Sequence, residues 1–270
     1  MLDLQTNVAA LQAQTNLDRS QNSLQSSFTK LSSGMRINSA ADDAAGLGIA
    51  KSMNAQLQSY TVAQQNSADA VSMVQTADGA ADQIDSLLTR MRELAVEAQN
   101  GTMSSTDTAN LNVEFQQDLS EIDRVSSDAT FNGTNLLSGS STTVSFQVGI
   151  FGTSNDQIGV NFGGCDTSGL GVQGTTVTDP NILQTLDTAL TSLNTTRANF
   201  GAVMNRLQDA QTSTENTQTN LSSSLATIQD VDVASETANL AREQVLTQAG
   251  AAVLAQANQV PQLALKLLQG

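Results

Sequence analysis

Residues 231–270 read VDVASETANLAREQVLTQAGAAVLAQANQVPQLALKLLQG, and how this stretch is read decides the fold. Leu246, Ala249, Val253, Ala257 and Val260 recur mostly at three and four residues, which predicts one helix with an apolar stripe. After Glu243 the only charge is Lys266. A lone helix has nothing of its own to bury such a stripe against. It needs a partner from the other end of the chain or from other chains.

The opposite end supplies a matching pattern. Leu4, Val8, Leu11, Leu17, Leu24, Phe28, Leu31 and Met35 follow helical seam spacing, with a one-residue shift between Leu11 and Leu17 that predicts an imperfect coiled-coil seam. Between the ends, residues 47–100 hold no proline and only Gly48 and Gly79, and one heptad seam runs from Met53 through Val74, Ala81 and Leu88 to Ala95. One very long helix is expected, ended by Asn100-Gly101. Ser104 to Asp107 start a second helix carrying Leu111, Phe115, Leu119, Ile122 and Val125. A third begins at Asp179-Pro180, with proline in its first turn, and bears Leu186, Leu193, Phe200 and Leu207 on one seam with polar Arg197, Gln211, Thr214 and Gln218 among them.

Two connections read differently. Residues 36–46, RINSAADDAAG, have no stripe and read as a linker, or as a cap at Asn38 or Ser39 with Asp42 and Asp43 in the helix's first turn. Residues 139–179 are dense in Gly, Ser and Thr, and their alternating pieces 143–148 and 157–162 predict strands. Some forty residues are too few for a separate core, so this segment is expected to cap the helices.

The composition limits the function. There is no Trp, one Tyr, two Pro and a net charge of −15, nearly all of it in residues 36–230. Nucleic acid is excluded as a partner by that sign of charge. The near-neutral ends are suited to burial among neighbours and the acidic middle to water. With no His and one Cys, Cys165, the usual catalytic partners and zinc ligands are missing, so no catalytic residue, metal or cofactor is expected. Adjacent Asp42 and Asp43 diverge and read as capping charges, not an acid/base pair. No cleavable secretory signal and no apolar run long enough to span a membrane are evident, so no membrane partner is expected. The sequons at Asn100, Asn132 and Asn194 are short enough to arise by chance.

Several longer motifs carry a family resemblance. LQTNVAALQAQTNL, SSGMRINSAADDAAGLGIA and LAREQVLTQAGAAVLAQANQVPQLALKLL look like the ends of bacterial flagellin, and RMRELAVEAQNGT and EIDRVSSDATFNGTNLL resemble its inner helical region. The resemblance covers residues 1–138 and 180–270 and identifies a short type with little or no outer domain. Thr227 and Val233 stand where flagellins commonly carry an arginine and an aromatic residue.

The resemblance implies a mainly α protein, a long antiparallel coiled-coil-like bundle with a small β-hairpin region. Residues 1–38 and 231–270 would form a terminal domain whose helices pair in the filament core. Residues 39–138 and 179–230 would form the inner bundle, and 139–178 the β cap. It implies a structural subunit that polymerises into the flagellar filament for motility, with Leu4, Val8, Leu11, Leu24, Phe28, Leu31, Leu246, Ala249, Val253, Ala257 and Val260 packing subunits together. A hook-filament junction protein shares such termini, and a type III secreted coiled-coil protein is a more distant alternative. Implied partners are copies of itself, an export chaperone holding residues 231–270, hook-associated and cap proteins, and the vertebrate Toll-like receptor for flagellin. Arg90, Leu94 and Glu114 match positions used in that receptor's recognition. Type III export to the extracellular filament is implied as well.

Overall fold

The computed structural model describes residues 7–139 and 142–269, with the backbone alone for 260–269. Leu4 and the side chain of Val260 therefore lie outside the described residues. The elements in chain order are α1 (Val8–Ser33), α2 (Ala44–Ala98), α3 (Ser105–Asp128), β1 (Thr130–Phe131), β2 (Thr134–Asn135), β3 (Thr142–Gln147), β4 (Gln157–Phe162), α4 (Ile182–Gln229) and α5 (Val233–Gln269). A mainly helical protein with two small antiparallel hairpins, β1–β2 and β3–β4, is thus what the sequence builds.

Helix boundaries follow side-chain chemistry. Ser104 caps α3 through a reciprocal box with Asp107, each side chain accepting from the other residue's backbone N–H. The start of α2 differs from the expected cap at Asn38 or Ser39. Asp42 closes a turn by accepting from the N–H groups of Asn38 and Ser39, and Asp43 caps the helix by accepting from Gly46 N at 2.8 Å. Pro180 also falls outside its helix. Asp179 ties back to Thr176, and the Asn181 carbonyl receives the bond from Thr185 N.

The chain forms two compact units, Met1–Ala55 with Asn220–Gly270, and Gln56–Thr219. The division falls inside α2 and α4, so the terminal unit reaches past residue 38 at one end and begins before residue 231 at the other. The terminal unit takes in the start of α2 because Ile37, 1% exposed, packs under Gly46, where a Cβ would meet it at 2.7 Å. Its two connections are stitched together by Arg36 N to Gln229 O, Val231 N to Gly34 O and the Met35–Asp230 bridge. Arg36 also donates through Nη2 to the carbonyl of Ile228.

In the other unit, Val74, Ala81, Ile84, Leu88, Met91 and Leu94 of α2 meet Phe115 and Ile122 of α3 and Leu186, Leu193 and Phe200 of α4 in one buried core. The β cap joins this core through Ile158, Val160 and Phe162 on alternate positions of β4, with the Phe162 and Phe200 rings 5.7 Å apart and tilted. The irregular segment after β4 is held along α3. Asp123 accepts from Thr167, Gln116 donates to Thr175 O, and Asn112 accepts from Val177 N.

Candidate self-assembly site

α1 and α5 lie against each other and present two stripes each. On α1 the half-buried or buried positions are Ala10, Ala13, Leu17, Ser20, Leu24, Ser27, Lys30 and Leu31, and on α5 they include Glu243, Thr247, Gly250, Leu254 and Ala257. Gly250 makes room for the contact, since a Cβ there would sit 3.3 Å from Leu17 Cδ1. The inward seam is therefore made of leucines, small residues and polar groups.

Other large apolar side chains face away. Val8, Leu11 and Phe28 of α1 are about 60% exposed, and Leu246 and Val253 of α5 are 47% and 58% exposed. Ala249 is exposed with them. On α5 the stripe expected to need a partner, from the other end or from other chains, is thus turned out by one residue from the seam that pairs the two ends. Leu24, Leu31 and Ala257 belong to the seam, whereas Val8, Leu11, Phe28, Leu246, Ala249 and Val253 are uncovered. Sequence reasoning passed over Val245, 64% exposed beside Leu246. Its signal was a second apolar residue next to the stripe, which widens an apolar face instead of breaking it.

Arg90 lies elsewhere, on α2. Its Nε and Nη2 donate to Glu114 Oε1 of α3 at 2.9 and 2.6 Å, and Nη1 donates to Glu93 at 3.2 Å. The pair is half exposed, with 50% of the Arg90 side chain in solvent. Leu94 is placed differently: at 1% exposure it is a core residue beneath Arg90's helix face, not part of the surface. Next to this pair, Asp118 has a buried Oδ2 without a hydrogen-bond partner. Burial first, then the Glu114 charge, raises its pKa.

Nothing in the described residues resembles a reaction centre. Cys165 is buried, and desolvation pushes its thiol up to about 11, so it stays protonated at neutral pH. No group of three or more His, Cys, Asp or Glu among the described residues is placed to hold a metal. No described helix is long and apolar enough to cross a membrane.

Long helices whose apolar side chains are left uncovered at paired chain ends are suited to packing against further protein. The comparisons name the class. Residues 4–142 match the bacterial flagellin N-terminal helical region and residues 183–268 match the C-terminal one. The chain is 39% identical to a flagellin of Xenorhabdus nematophila, over 98% of this chain and 99% of that one. It is 39% identical to a flagellin of Halalkalibacterium halodurans over 97% and 98%, and 35% identical to the flagellar filament 30.7 kDa core protein of Treponema maltophilum over 97% and 98%. The crystal structure of Bacillus cereus flagellin aligns at 32% identity with a TM-score of 0.48, covering 56% of this chain and 88% of that one. The chain belongs to the bacterial flagellin family.

Proposed function

We propose that this flagellin polymerises through the outward stripes of α1 and α5. As a member of its family it is a structural subunit of the flagellar filament. The observation that carries the proposed surface is the uncovered set Val8, Leu11, Phe28, Leu246 and Val253 on helices that already have an intrachain seam. Large apolar side chains left exposed on both helices mark a protein contact. In this reading residues 1–38 and 231–270 form the filament core, 39–138 and 179–230 the inner bundle, and 139–178 its cap. The protein is exported, works outside the cell and has no catalytic role.

The test uses two substitutions. Leu11→Asp and Val253→Asp alter positions that are 62% and 58% exposed in the single chain, so the subunit folds as before. In the polymer each buries an unpaired carboxylate, costing several kcal/mol per subunit. Electron microscopy is expected to show no filaments from either variant, and normal filaments would refute the surface.

Two further partners belong to this reading, one on the same surface and one on another. Before assembly, residues 231–270 are held by an export chaperone that covers the α5 stripe. Arg90 and Glu114 supply the face recognised by the vertebrate flagellin receptor, with Leu94 fixing the helix from within.

A further inference from the structure

α5 contains one proline, Pro261, within its span Val233–Gln269. In an α-helix the N–H of residue i donates to the carbonyl of residue i−4, and proline has no N–H. The carbonyl of Ala257 is therefore deprived of its intrahelical donor. The side chain of Asn7 reaches that same oxygen, with Nδ2 donating to Ala257 O at 2.8 Å. Its other end caps α1, with Oδ1 accepting from Ala10 N at 3.0 Å. The two contacts leave the amide no choice of orientation, because a carbonyl only accepts and a backbone N–H only donates.

We infer that Asn7 is the positioning residue that holds the start of α1 in register on α5, supplying the donor that Pro261 withholds. The Gly34–Val231 and Arg36–Gln229 bonds tie the two helices at their other ends and Gly250 admits Leu17, but between Leu17 and the start of α1 the seam offers only Ala13 and Ala10, which specify register weakly. The deprived carbonyl occurs once along α5, and a hydrogen bond to it is lost in any other register. Asparagine is suited to both tasks. Aspartate caps a helix equally well but has no proton to donate. The inference rests on the filament reading for its purpose: a fixed register holds Val8 and Leu11 in constant relation to Leu246 and Val253, so that every subunit offers its neighbours the same surface.

The experiment is a double-mutant cycle on the full chain. Asn7→Asp preserves the cap and removes the donor, and Pro261→Ala restores the missing N–H to the Ala257 carbonyl. Asn7→Asp is expected to raise the critical concentration for polymerisation about tenfold when Pro261 is present, and less than about twofold in the Pro261→Ala background. Hydrogen exchange over residues 8–17 of the monomer is expected to show the same dependence on Pro261 without any filament. Equal effects of Asn7→Asp in both backgrounds, or none in the first, would overturn the inference. Failure of the unmodified chain to polymerise would instead strike the filament reading, and the exchange measurement would still decide the role of Asn7.

Discussion

Arg90 shows how much one side chain is prepared before any partner arrives. Glu114 and Glu93 hold its guanidinium, so little rotamer freedom remains to be lost on binding. Arg90→Ala is expected to lower receptor activation by monomer about thirtyfold or more in a reporter-cell dose response, the usual cost of removing an interface anchor. A curve that overlays the parent's would show that the face is not used. Asp118, close by, gives a prediction of opposite kind. Its folded pKa is raised, so ionisation at neutral pH works against the fold, and that penalty fades as the pH falls through the raised pKa to its ordinary 3.8. Asp118→Asn is therefore expected to raise the melting temperature at pH 7 by about 1–3 °C and to lose that advantage in acid. A gain that persists below pH 3.8 would contradict the sign.

At the scale of elements, the sequence shows helices more clearly than it shows which way they face. The seam of α2 and the start of α3 at Ser104 to Asp107 were legible because heptad spacing and a polar helix-start cluster each have a local meaning. The phase of the α5 stripe was not. Leu246 and Val253 make the more apolar line, yet Thr247, Gly250 and Leu254 face α1, since close helix contact favours the position with no Cβ. The β1–β2 hairpin was missed despite a plain signal. Asn132 at φ 48° and Gly133 at φ 78° form the two-residue turn that an Asn-Gly pair favours, but strands of two residues leave no alternation to read. The helix that carries the outward stripe also carries a prediction. Deleting residues 231–270 is expected to abolish capture by the flagellar export chaperone in a pull-down. Retained capture would move that contact to another element.

For the molecule as a whole, the two compact units differ in what holds them. Gln56–Thr219 encloses the core of large buried side chains, whereas the terminal unit leaves Val8, Leu11, Phe28, Leu246 and Val253 uncovered. Limited proteolysis of the monomer is expected to trim both ends first and leave a resistant fragment spanning Gln56–Thr219. Early cuts within α3 or the first half of α4, with the ends intact, would reverse that order. Cys165 has a practical consequence for handling this flagellin. It is the chain's sole thiol, enclosed and protonated at neutral pH. A cysteine introduced at an exposed site on the cap, as in Thr143→Cys, would be the one group that a maleimide dye meets near pH 7. Fluorescent filaments labelled once per subunit then require no prior removal of the native cysteine.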